Sequence, residues 1–224
     1  VMIERSRGIT VCLAAVALFA GGCAGAAYRL NDCMTCPGVD EVTRLRMPAP
    51  DSFTLVNSIV FSCRGRSINA LGYTRVDTAA RELSVAAMSP VGVKLFEFSS
   101  RQGELRTHFV IDTLAQLGPV TKAVSADVEK IYFDLFPRAG ARPQQSAEGI
   151  RFACVQADEI VYYEYAGDTM DLKRKILTRR GRVVWQVDYD DYRTTDAGRF
   201  AYRVELIDKR YKYRLNVNLK EIVS

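Results

Sequence analysis

The densest polar run in the sequence is "VDYDDYRTTD", which brings Asp188, Asp190, Asp191 and Asp196 close together. Paired carboxylates can work as general acid and base, or hold a hard cation through oxygen ligands. The run falls where a strand passes into a loop and lacks a calcium-loop spacing, so an exposed acidic turn is the competing reading. A second candidate is "DCMTCPG", where Cys33 and Cys36 form C-x-x-C. That spacing serves thiol redox chemistry when it opens a helix after a strand, because the helix dipole lowers the thiol pKa. Here it lies in a Pro- and Gly-punctuated linker. A tetrahedral zinc site would need Cys63 and Cys154 to converge on the pair, with His108 the one histidine in the chain. His108 alternates outward between Thr107 and Phe109 and reads as a surface residue of its strand. No G-x-S-x-G, H-E-x-x-H or P-loop occurs. The expectation is a protein without catalytic activity, metal or cofactor.

A different chemistry is written near the N-terminus. Arg5 and Arg7 form a basic head, and residues 9–20, "ITVCLAAVALFA", form an apolar core too short to cross a bilayer, which takes about 20 apolar residues. Ala20, Gly21 and Gly22 lead directly into Cys23, and the run resembles a bacterial lipobox. The resemblance implies cleavage before Cys23, a diacylglycerol thioether on its sulfur and acylation of the new amino terminus with palmitate-type chains. Three chains hold a protein firmly on a membrane, since each buried CH₂ contributes roughly 0.8 kcal/mol. Ala24, in place of an Asp, permits export to the outer membrane where sorting follows the enteric rule. Two other readings compete: ordinary secretory cleavage after "AGA" at residues 24–26, and an uncleaved anchor in which Cys23 is incidental.

Domain boundaries follow: 1–22 a signal peptide, 23–52 a lipidated tether, 53–224 one β domain. About 200 mature residues suit a single all-β domain. The precursor charge is +5, and losing Arg5, Arg7 and Glu4 removes one positive charge. The remaining basic excess is spread along the chain, which argues weakly for contact with anionic headgroups and hardly at all for nucleic acid. In an oxidising periplasm Cys33, Cys36, Cys63 and Cys154 are disulfide candidates of unspecified connectivity, with redox, metal and free-thiol roles as alternatives.

Beyond Phe53 the apolar residues recur with period two. Leu83, Val85 and Ala87 share one face; Leu105, Thr107, Phe109 and Ile111 another; then Val183, Trp185, Val187 and Tyr189; then Phe200, Tyr202, Val204 and Leu206. Tyr211, Tyr213, Leu215, Val217 and Leu219 alternate with polar residues most cleanly. Such alternation predicts antiparallel strands with one wet face. Turn signals such as "SPVG", "RQGE", "RRGR" and "TTDAGR" separate about five strands before residue 115 and about six after 149. Between them Val128, Ile131, Tyr132, Leu135 and Phe136 fall at helical spacing. Ser125 is placed to cap that helix and Pro137 to end it. Residues 138–149 read as a flap or a long connection.

About eleven strands with one wet face must curl. The outcomes are full closure over packed side chains, lipocalin-like closure around a cavity, or an open curl roofed by the helix. The stretches 89–98, 127–137 and 181–222, "GRVVWQVDYDDYRTTDAGRFAYRVELIDKRYKYRLNVNLKEI", resemble the lipoprotein receptor LolB and its periplasmic partner LolA, and more closely an uncharacterised LolB-like lipoprotein family. The resemblance runs through nearly all of 53–222 and rests on pattern, not on a catalytic signature. It implies a mainly β (α+β) fold, an incomplete antiparallel barrel with a helical lid, whose interior takes acyl chains of a lipoprotein or another amphiphile for transfer or localisation. It implies a monomer anchored on the periplasmic face of a Gram-negative outer membrane, supplied by a periplasmic carrier, with no nucleic-acid partner. Candidate lining residues are Leu83, Val85, Phe109, Ile111, Trp185 and Val187, with the helix stripe Val128, Ile131, Tyr132, Leu135 and Phe136, although residues of this kind are more often plain core than ligand contacts. The alternative is a non-transporting envelope lipoprotein that docks a protein partner. LolB bears an apolar residue on an early hairpin loop, and the loop matched here, "DTAAR" at 77–81, offers only Ala79 and Ala80.

Overall fold

The computed structural model describes residues 36–45, 50–146 and 149–223; Cys23, Cys33 and the leader lie outside them. A short helix, α1 (Val39–Leu45), precedes five strands: β1 (Ser52–Cys63), β2 (Arg66–Asp77), β3 (Glu82–Met88), β4 (Lys94–Arg101) and β5 (Glu104–Val110). The helical turn α2 (Asp112–Ala115) and helix α3 (Val120–Tyr132) follow, then β6 (Pro143–Gln145), β7 (Ile150–Gln156), β8 (Glu159–Ala166), β9 (Asp171–Arg179), β10 (Arg182–Thr195), β11 (Gly198–Asp208) and β12 (Tyr213–Val223).

These strands form one unclosed, curved, 12-stranded antiparallel sheet in the order β5-β4-β3-β2-β1-β12-β11-β10-β9-β8-β7-β6. The first five strands walk outward from the centre as hairpins. The chain must then reach the opposite edge, and residues 111–142 carry it there with α3 on board. From β6 it walks back until β12 lies beside β1, opposite residues including Ile59 and Val217. Because β5 and β6 do not pair, the sheet stays open. β6 occupies part of the stretch expected to be a loop; Pro143, which has no N–H to donate, is tolerated there because this is an edge strand.

The inner face carries two apolar clusters. One gathers Phe152, Tyr165, Leu172, Val187, Leu206 and Val217 from β7–β12, with Val42 of α1 and Ile131 of α3. The other gathers Phe53, Leu55, Val76, Leu83, Val85 and Phe98, with Val128 and Phe133. Helix α3 therefore seals both halves of the sheet. The outer face is polar: Arg151, Glu164, Arg174 and Asp188 form a ladder of ion pairs across β7–β10.

Three expectations need correction. The helix spans Val120–Tyr132 instead of running from a cap at Ser125 to Pro137. Pro119 sits at its N-cap after Gly118, whose φ is +105°, and Ser125 is buried within the helix instead of capping it. Phe133 turns extended and Asp134 adopts a φ of +49°, so Leu135 and Phe136 lie beyond the helix. Phe109 does not share a face with Thr107: a bulge sets Glu97 opposite Phe109 but Phe98 opposite Thr107, and Phe109 ends outward, 41% exposed. A similar slip leaves Val183 exposed while Trp185 and Val187 turn inward. Finally, Cys63 and Cys154 are free thiols. Cys63 ends β1 opposite Tyr213, whereas Cys154 lies in β7 opposite Val161, at the far side of the sheet.

These placements give opposite expectations for two large apolar residues. Leu206→Ala, in the fully buried core, should lower unfolding stability by about 2–5 kcal/mol in urea titration. Phe109→Ala should lower it by less than about 1 kcal/mol, and an equal loss would show that the bulge is wrongly placed.

Candidate functional site

The trough between the sheet and α3 is the one place where the sequence-derived candidates converge. Leu83, Val85, Val128, Ile131 and Val187 are buried in it. Trp185, Tyr132 and Leu135 are half-buried against the same clusters. Ile111 and Phe136 are also half-buried, Ile111 lying just past β5 with its N–H bonded to the Leu95 carbonyl at 2.9 Å, while Phe109 faces away. The trough is occupied by the protein's own side chains. Phe53 meets Phe200 and Tyr132 edge-on at 5.4 and 6.0 Å, and Phe152 meets Tyr165 at 6.0 Å. Two pockets open elsewhere: one of about 200 Å³ on the outer face among Tyr73, Arg75, Ser84, Glu97 and His108, and one of about 300 Å³ at the β11–β12 turn.

Residue periodicity could not foresee how α3 is held. A helix end presents carbonyls without intrahelical partners, and side chains of the sheet take them. Lys175 donates to the carbonyls of Phe133 at 2.8 Å and Lys130 at 3.3 Å; Tyr189 donates to that of Ile131 at 2.7 Å. Just past the helix, Tyr165 donates to the carbonyl of Leu135 at 2.6 Å. On the helix itself, Asp127 accepts from Lys130 at 2.8 Å and from the Tyr213 hydroxyl at 2.6 Å, and Lys130 also reaches Asp208 at 3.4 Å. Burial pushes the Asp127 carboxyl up despite these donors. Alternation does not reveal this clasp: Leu172 and Lys175 differ in phase, and only a bulge in β9, where Glu164 faces Arg174 but Tyr165 faces Leu172, turns both inward.

The acidic run lies mostly within β10 and not in a turn, Asp196 alone falling in the turn that follows the strand. Asp188 takes bonds from Arg174 and Gln186, Asp190 from Arg203, and Asp191 from Arg193. Asp191 bulges from β10 with a φ of +53°, and contact with Arg193 holds its carboxyl below the usual carboxylate range. Each of these three carboxylates is thus paired with an arginine, Arg174 being shared with Glu164. His108 bonds Ser99 at 2.9 Å on the outer face. Among the described residues no three His, Cys, Asp or Glu side chains cluster as metal ligands would. The loop at 77–81 presents Ala79 and Ala80 as expected, but the next turn, between β3 and β4, holds Val91 in solvent at 86% exposure.

Lys175 is 5% exposed, and burial pulls its ammonium down to about 8 from 10.5, against the opposing pull of Asp134. Its folded value lies below its unfolded one, so between these limits the unfolded chain binds the proton more tightly. Stability should therefore rise with pH through that window, by about 2 kcal/mol from pH 8 to 9.5. Urea unfolding at several pH values checks this, and Lys175→Met should flatten the rise.

No protein-family model matches the sequence, and no curated relative does. Among solved structures, the chain is similar to a LolA superfamily protein from Nitrosomonas europaea, with a TM-score of 0.52 and 9% identity over 82% of this chain and 90% of that one. It is also similar to a DUF1329 family protein from Desulfovibrio piger, with a TM-score of 0.51 and 7% identity over 82% and 89%. The open antiparallel sheet wrapped around a central helix gives this chain the LolA-like fold.

Proposed function

We propose that the protein is a lipid-anchored carrier or acceptor in the bacterial cell envelope, whose trough takes an acyl chain by displacing its own plug, and that it is not an enzyme. The observation that carries this reading is the insecurity of α1. This seven-residue helix buries one side chain fully, Val42 at 1% exposure, with Val39 and Cys36 half-buried beside it in the β7–β12 cluster. Burying a valine is worth roughly 1.5–3 kcal/mol, and each methylene of a buried chain about 0.8 kcal/mol. An acyl tail that buries more than about four methylenes outweighs Val42. The polar Asn57, 1% exposed on the inner face of β1, is hydrogen-bonded through its side chain to Tyr132.

Anchoring through Cys23, an outer-membrane position and delivery by a periplasmic carrier belong to the same reading, as does a monomeric state. Val91 is the exposed apolar tip available for contact with a membrane, in place of Ala79 and Ala80. The packed trough favours a second reading, a non-transporting lipoprotein that docks a protein through outward residues such as Leu71, Tyr73 and Phe109, all more than one-third exposed.

Trp185 is the sole tryptophan and packs against the cluster that holds Val42. A brominated fatty acid should quench its fluorescence saturably, and Val42→Ala should tighten binding about tenfold. Absence of quenching in both proteins would leave the docking reading. Quenching that Val42→Ala does not alter would retain the trough and discard the plug.

A further inference from the structure

The sequence spreads its basic residues along the chain, but the fold gathers many of them at one end. Cys63 is opposite both Arg66 and Tyr213, Asp208 opposite both Tyr213 and Trp185, and Arg179 opposite both Arg182 and Glu159. The turns at 64–65, 209–212, 180–181 and 157–158 therefore stand side by side along consecutive strands. They present Arg64, Arg66, Arg182, Lys209, Arg210 and Lys212. The acidic residues of these turns, Asp158 and Glu159, are held by Arg180 and Arg179. Asp208 is buried, turned toward Lys130 and the Tyr211 N–H.

Apolar tips rise among these charges. Tyr211 is 61% exposed, with the Arg210 guanidinium 5.1 Å from its ring centre, and Val155 and Val183 are exposed on the flanking strands. The pocket of about 300 Å³ opens here, lined by Ser62, Lys209, Lys212, Tyr213 and Arg214, with Asp208 and Ile207 at its wall. Arg214 also pairs with Glu205 at 3.1 Å. At the opposite end the turn arginines are neutralised locally, Arg81 by Asp134 and Arg101 by Glu82.

We propose that this basic end docks on the anionic headgroups of a phospholipid bilayer, with Lys209, Lys212 and Arg214 around a headgroup phosphate and Tyr211 in the interfacial layer. The chemistry is that of juxtamembrane polybasic surfaces, where each cation adds attraction within a Debye length and an amphipathic ring sits at headgroup depth. The charge signs match a bilayer more closely than an apolar protein surface, since the cations outnumber the apolar tips and surround them.

The test is co-sedimentation of the full chain carrying Cys23→Ser, which cannot be acylated, with phosphatidylcholine vesicles that contain or lack about one third phosphatidylglycerol. The expected result is several-fold stronger partitioning onto the anionic vesicles, abolished at about 0.5 M salt. Lys209→Glu/Arg210→Glu/Lys212→Glu should reduce that preference at least tenfold, whereas Arg101→Glu/Lys220→Glu at the other end should retain it. Circular dichroism melting within a few degrees of the parent establishes that each variant is folded. Equal binding to both vesicle types, equal loss in the two variants, or tighter binding to duplex DNA at the same ionic strength would overturn the proposal.

Discussion

The structure depends on one constraint: a wide antiparallel sheet with one apolar face cannot leave that face in water. Curvature brings the two halves toward each other but does not close them, because β5 and β6 do not meet. The single long connection then has to cross the open side. Helix α3 rides on that connection and places Val128 against one cluster and Ile131 against the other, with Phe133 just past its end joining the first. Hairpin order, sheet curvature and the burial of α3 are thus consequences of one topological fact.

Apolar contact alone would let such a helix slide along the trough. The carbonyls at and just past its C-terminal end remove that freedom, since Lys175, Tyr189 and Tyr165 reach them from three different strands. The cost is a lysine taken out of water, visible in its lowered pKa, which the helix-end dipole and the carbonyl bonds partly offset. By contrast α1 has no comparable polar clasp in the described contacts beyond its own turn. The two covers of the trough are therefore unequal: α3 is fixed by directional bonds, and α1 rests mainly on Val42. That inequality makes α1 easier to displace than α3.

The two surfaces with functional promise are chemically distinct and sit in different parts of the fold. The trough is apolar and filled by the protein's own side chains, and on the proposed reading it would exchange them for a hydrophobic ligand. The end formed by the β1–β2, β9–β10 and β11–β12 turns is charged and exposed, and acts at longer range. A protein that handles amphiphiles at a bilayer would use both, with the charged end setting orientation and the trough taking the chain.

Alternation in the sequence determined the strands, their turns, the mainly antiparallel class and the inward set Leu83, Val85, Val187, Leu206 and Val217. These follow from local backbone geometry, in which side chains change face at every residue. Alternation failed at Phe109 and Val183 because a bulge advances the register by one residue and depends on the neighbouring strand. The helix starts earlier than the apolar stripe indicates because Gly118 and Pro119 open it, and at its other end Lys175 and Tyr189, far along the chain, take the carbonyls of Phe133 and Ile131. Only tertiary structure decided that the trough is filled, that Cys63 and Cys154 stand apart as free thiols, and that the basic residues meet at one end. Each of these depends on which strands become neighbours, and neighbourhood across a sheet is set by long-range pairing that no single stretch of sequence contains.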